Sequence, residues 1–158
     1  MALKADRLEF QTDINFFMNE VAERGGVACY GSTSGSGAAM DQGAALVTYQ
    51  ANPSGKIPVG LLMNDMVNVD LTRQILNPFK NEVQKGSKVT LLRKGWVVTN
   101  KVQGTPTAGQ RVYVGQSGNL STTSLDHANP MVIGQFLSIP DQDGYSKVEV
   151  NLPATSRL

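Results

Sequence analysis

Residues 145–152 alternate so strictly that they dictate their own conformation, with Val148, Val150 and Leu152 on one face and Lys147, Glu149 and Asn151 on the other. A side-chain period of two belongs to a strand with one face buried and one in water. The string Asp141-Gln142-Asp143-Gly144 precedes it, and glycine takes the positive φ that a tight turn needs. Before that turn runs the apolar segment 131–139, so the two segments form a hairpin. Pro140 and Pro153 stand at the strand ends, where a missing N–H harms the ladder least.

The same logic yields a second hairpin, from residues 88–92 through Arg93-Lys94-Gly95 into residues 96–102, with Trp96 and Val98 on one face and Trp96 in the core. A third runs from residues 111–114 through Gly115-Gln116-Ser117-Gly118 into residues 120–123. Upstream, residues 45–49 and 57–63 read as strands around a turn at Asn52-Pro53-Ser54-Gly55, and Pro58 confines the second of them to an edge or to its own beginning. Residues 67–71 continue the sheet, and residues 77–86 form an irregular crossover. Sixteen glycines and few aromatics suit short strands joined by tight turns. The fold class is therefore mainly β, a small barrel or a sandwich of antiparallel hairpins, and 158 residues suffice for one core.

The N-terminal segment allows two readings. Ile14, Phe17, Met18 and Val21 have helical spacing, with Thr12 or Asp13 as N-cap and Gly25 past the end, yet Ile14, Phe16 and Met18 also alternate as in a strand. Residues 2–12 are mostly polar with isolated Leu3, Leu8 and Phe10, the composition of an arm that orders against something else. Residues 1–26 are accordingly expected to form an extended arm and residues 27–158 the body of a single domain.

Little in the sequence points to chemistry. Fourteen basic residues against thirteen acidic ones give no field for non-specific nucleic-acid binding, and no apolar run is long enough for a membrane span or a leader segment. With one cysteine, Cys29, and one histidine, His127, neither an internal disulfide nor a zinc site can be assembled within one chain. Cys29 reads as a small packing residue. The glycine-serine string from Gly31 to Gly37 is followed by Ala38-Ala39 where a phosphate loop needs Lys and Ser or Thr, and Thr33 stands where an esterase elbow needs serine. Ser124, Asp126 and His127 are too close along the chain to converge as a triad, and Asp141 and Asp143 fit a turn better than a calcium loop. Trp96 and Tyr113 with Lys88, Arg93, Lys94 and Lys101 are the candidates for a single-strand nucleic-acid surface, a minor alternative.

The strings Phe16-Phe17-Met18-Asn19-Glu20, Ala22-Glu23-Arg24-Gly25-Gly26, Lys88-Val89-Thr90-Leu91-Leu92, Gly95-Trp96-Val97-Val98-Thr99-Asn100 and Asp141-Gln142-Asp143-Gly144-Tyr145 resemble head-decoration, or capsid cement, proteins of tailed bacteriophages, particularly podovirus-like ones. The resemblance implies a β-barrel or β-tulip. It also implies a homotrimer on the outer surface of the virion head, clamping neighbouring major capsid protein subunits, with no catalytic residue, cofactor or metal. Buried aromatics dominate protein interfaces, so Phe10, Phe16 and Phe17 are the expected anchors on the capsid or on an adjacent protomer; the alternative is that Phe16 and Phe17 fill this domain's own core. On the anchor reading, deleting residues 1–12 abolishes head binding and spares the fold. The rivals are another virion β protein, such as a tail component or a capsid surface domain, and the single-strand nucleic-acid barrel.

Overall fold

The computed structural model describes residues 3–31, 46–65, 69–70, 75–76, 81–125 and 130–152. The strands are β1 Leu3–Met18, β2 Ala22–Glu23, β3 Val27–Tyr30, β4 Leu46–Thr48, β5 Pro58–Asp65, β6 Val69–Asp70 and β7 Ile75–Leu76, followed by β8 Glu82–Val83, β9 Lys88–Thr99, β10 Val102–Gln103, β11 Arg111–Val114, β12 Leu120–Ser121, β13 Val132–Phe136 and β14 Ser146–Asn151. The described residues contain no α-helix. The mainly β class expected from alternation and turns is therefore observed, as a small closed barrel with further strands attached.

Closure comes from two long strands. β1 pairs with β4, β4 with β3, β3 with β5, β5 with β9, and β9 returns to β1, so five strands form a ring. At about 3.3 Å per residue, β9 extends roughly 40 Å, longer than the barrel needs. Its first half pairs with β5, from Asp65↔Val89 to Leu61↔Leu92. Its second half changes partner and pairs with β14, from Asn151↔Lys94 to Ser146↔Thr99. The sheet then continues through β13, β11, β12 and β10. β1 follows β9 from Phe17↔Lys88 to Leu3↔Thr99, so a β1–β9 ribbon joins the two parts.

Alternation explains why there are two cores. On β3, Ala28 faces one cluster and its neighbours Val27 and Cys29 the other; on β5, Val59 and Leu62 go with Ala28, whereas Leu61 and Met63 go with Cys29. The β3–β5 wall is thus apolar on both sides, as strands buried on both faces must be. Inside the barrel lie Phe16, Met18, Val47, Val89 and Leu91, joined by Ala22 and Val83 from the β2–β8 pair. On the wall's other side pack Val97, Val112, Leu120, Ile133, Phe136, Val148 and Val150. Each fully buried Val, Leu or Phe contributes about 1.5–3 kcal/mol.

The hairpins at 131–152 and 111–123 stand as expected, with Gly134↔Val150 and Val114↔Leu120 in register. In the first turn the Asp141 carboxylate accepts the backbone N–H groups of Asp143 and Tyr145, each at 2.9 Å, and Gly144 has φ +82°. These bonds to the ionised form, with Lys4 nearby, hold the Asp141 carboxyl below its ordinary range, and they account for the aspartates as turn residues. Residues 58–65 begin at Pro58, as its missing donor requires.

Three expectations are corrected. No turn interrupts residues 88–99, because Gly95 lies within continuous β9. There, with φ +149°, a Cβ would sit 2.0 Å from the Leu8 carbonyl oxygen, so the glycine admits a close approach of β1 at a register shift. Trp96 does share a face with Val98, but both are half-buried, and Val97 is the core residue. Val69–Asp70 does not extend the main sheet; it pairs with Ile75–Leu76 in a ladder of its own. Residues 77–80 of the crossover lie outside the described residues.

A tyrosine ties the two parts together. The Tyr49 hydroxyl donates to the Glu23 carbonyl at 2.5 Å and accepts the Gly26 N–H at 3.0 Å, while its ring covers Gly118, where a Cβ would lie 2.6 Å from it. Burial pushes this phenol above its ordinary pKa range. Tyr49→Phe leaves the Gly26 donor without its acceptor and is expected to cost about 1–3 kcal/mol in denaturant unfolding. An unchanged midpoint would remove the hydroxyl from the account.

Candidate functional site

The outward side of the β1–β9–β14 sheet is built by the same alternation that fills the core. Because Val97 and Thr99 point inward, Lys94, Trp96 and Val98 point outward, and on β14 the inward Ser146, Val148 and Val150 leave Lys147, Glu149 and Asn151 outside. Leu8 lies opposite Trp96, and Trp96 lies opposite Glu149. Leu8 and Phe10 are 49% and 72% exposed, and Leu137 at 37%, one residue past β13, donates its N–H to the Lys147 carbonyl beside the face. Large apolar side chains gathered on one sheet face make it the candidate interaction surface.

Two lysines lie on the aromatic rings of this face. Lys147 Nζ is 3.7 Å from the centre of the Trp96 ring, and Lys94 Nζ is 5.2 Å from that of Phe10. At the border Lys4 pairs with Asp141 at 3.6 Å while also covering the Tyr145 ring, and on the other side of β1, opposite Val97, Arg7 pairs with Glu9 at 2.8 Å. The ring electrons attract an ammonium by about 0.5–1 kcal/mol at an exposed site, which biases each lysine toward its ring.

The three phenylalanines separate. Phe16 is 4% exposed inside the barrel, its ring edge against Tyr30, and Phe17 is 6% exposed opposite Leu46 and Lys88; Phe10 is the one at the surface. Between Leu3 and Phe16, β1 contributes nothing to either core cluster, and its register against β9 shifts four times. The arm-like composition of this segment thus reflects, over residues 3–12, a ribbon laid on β9, with β1 pinned at both ends by Leu3 and by Phe16 with Met18. Residues 13–18 are strand, so the alternation of Ile14, Phe16 and Met18 was the informative signal. Sequence reasoning missed Leu8 and the outward role of Trp96 as interface candidates. For Trp96 the signal was its alternation with Val97, overridden by its aromatic size, and for Leu8 it lay only in the long-range pairing with Trp96.

The nucleic-acid candidates disperse. Arg93 donates to the Val59 carbonyl at 2.8 Å, Lys101 reaches Glu23 at 3.6 Å, and of the set only Lys94 and Trp96 share the β9 face described here. His127 and its neighbours 126–129, and the glycine-serine string from Ser32 onward, lie outside the described residues. Among the described residues no group of three or more His, Cys, Asp or Glu could hold a metal ion, and no helix is long and apolar enough to cross a membrane. Cys29 is fully buried, and burial pushes its thiol up to about 12. It is expected to stay unmodified by a thiol reagent at pH 8 in the folded protein and to react on unfolding, as a buried neutral thiol must; rapid native-state labelling would contradict that burial.

The model of phage structural cement proteins (E217 gp24/Pam3 gp6) matches residues 12–151. The chain belongs to that family. No curated protein matches. The cement protein therefore has a structural, capsid-cementing role in a phage virion, and the family resemblance read from its strand and turn strings holds. The match covers both core clusters except Leu3 and Leu152, together with Phe16 and Phe17 and the β9 and β14 portions of the outward face, while Leu8 and Phe10 precede it.

Proposed function

We propose that this cement protein attaches to the outer surface of the phage head as a homotrimer and holds neighbouring major capsid protein subunits together, catalysing no reaction. The observation that carries the reading is the outward face of exposed Leu8 and Phe10 beside half-buried Trp96, on a chain whose other phenylalanines in this region are buried. Aromatic anchors desolvated at the centre of a contact supply most of its energy. Phe10 is the anchor, and Phe16 and Phe17 act by fixing the strand that presents it. The outward side chains of β1, within the segment expected to be an arm, carry the contact together with those of β9 and β14, and the barrel that β1 itself completes is the body behind it. Three linked copies on one shell engage at high effective concentration, so modest single contacts yield lasting attachment.

Because Leu3 is buried and β1 runs along β9, deleting residues 1–12 would disturb the sheet as well as the contact, so point variants test the reading more cleanly. Purified protein mixed with empty expanded heads is expected to co-sediment with them and to have a solution mass three times the 16.9 kDa chain. Failure to bind heads would overturn the docking reading, and a monomeric mass in solution would overturn the preformed trimer.

A further inference from the structure

We infer that the β1–β9–β14 face recognises carboxylates on the capsid partner, two of them, one for each ring-seated lysine; the inference rests on the docking reading above. Among the described residues neither Lys94 nor Lys147 forms an ion pair within 4.0 Å, whereas Lys4 at the border is paired to Asp141 of this chain. Two ammonium groups are thus left without a carboxylate partner on the face, against the paired Lys4 at its border. A partner that covers Phe10 and Trp96 must also cover the two ammonium groups resting on them. Burying a cation without a counter-charge costs several kcal/mol, so a stable contact has to supply an acceptor for each. Each ring covers one side of its ammonium and leaves the rest open to that acceptor.

The spacing is set by the sheet. Lys147 lies opposite Val98, four residues along β9 from Lys94, so the two lysines are roughly 13 Å apart along the strand direction at about 3.3 Å per residue. Two separate carboxylates on a folded surface or an extended segment match this arrangement. A continuous polyanion matches it less well, because the exposed Glu149 lies opposite Trp96 between the two lysines and Glu9 flanks Phe10, and the chain's net charge is only +1. The occupant favoured is therefore an acidic protein surface rather than a nucleic acid.

The test measures binding of the full-length protein to empty heads at low and high salt. Wild type is compared with the double variant Lys94→Met, Lys147→Met, which keeps the apolar stems, and with Lys94→Glu, Lys147→Glu. Unfolding curves establish that each variant is folded. The methionine variant is expected to bind at least about 30-fold more weakly at low salt and to lose most of the salt response, and the glutamate variant to lose detectable binding. Wild-type affinity and salt response in the methionine variant would overturn the inference. In that event, loss of binding in Phe10→Ala in the same assay would leave the docking reading standing, and its retention would remove both. A single-stranded oligonucleotide that binds wild type, fails to bind the methionine variant and competes with heads would overturn the assignment to carboxylates.

Discussion

Replacing Gly95 by alanine is expected to destabilise the cement protein by at least about 3 kcal/mol, enough to threaten the fold of a domain whose whole margin is about 5–15 kcal/mol. Two costs combine. At φ +149° an L-residue is strained, and the new Cβ would stand 2.0 Å from the Leu8 carbonyl oxygen, which belongs to backbone and cannot swing aside. Relief requires β1 to move away from β9, and that ribbon is what joins the barrel to the second sheet. Gly144→Ala provides the comparison, since that glycine also has positive φ, +82°, with nothing within 4 Å of the added carbon. It should cost only about 1–2 kcal/mol, the ordinary price of a left-handed residue. The difference between the two denaturant midpoints isolates the close approach; equal midpoints would mean that β1 does not lie on β9 as described.

The second large effect concerns attachment rather than folding. Leu8→Ala with Phe10→Ala should weaken binding to empty heads by about 100-fold or more, since truncating a central aromatic anchor typically removes 2–4 kcal/mol per contact. The loss is compounded when several copies bind together. Stability should move by less than about 1 kcal/mol, because both side chains are already largely exposed. Phe16→Ala should behave in the opposite way, costing about 3–5 kcal/mol of stability by opening a cavity in the barrel. Head binding measured by sedimentation, alongside urea unfolding of each variant, separates the two classes. Undiminished binding by the Leu8, Phe10 double variant would remove this face from the contact.

How far the sequence could be read depended on whether its signals were local. The 131–152 hairpin was legible because Val148, Val150 and Leu152 alternate and Asp141 and Gly144 mark the turn, and both features act within a few residues. β9 was not legible as one strand, because a glycine after two basic residues has the same local appearance whether it makes a turn or admits a neighbouring backbone. What decides is Leu8, almost ninety residues earlier in the chain. Ring closure through β1 and β9 has no local signature for the same reason, as each strand could pair with any partner of suitable face. The fate of the phenylalanines followed from this. Phe16 and Phe17 looked like anchors while residues 1–26 were read as an outstretched arm, and once β1 is seen to complete the barrel, burial takes them and leaves Phe10 outside. The outward positions of β9 and β14 were legible in the alternation, but the face proposed for docking took shape only once the strands were in register with β1.

The most direct measurement is an electron cryo-microscopy map of heads carrying the bound protein, at a resolution that orients the barrel. The account predicts density on the outer shell with β1, β9 and β14 turned toward the capsid, and Phe10 and Trp96 at the contact. Heads bound through any other surface, with Phe10 and Trp96 facing solvent, would contradict it.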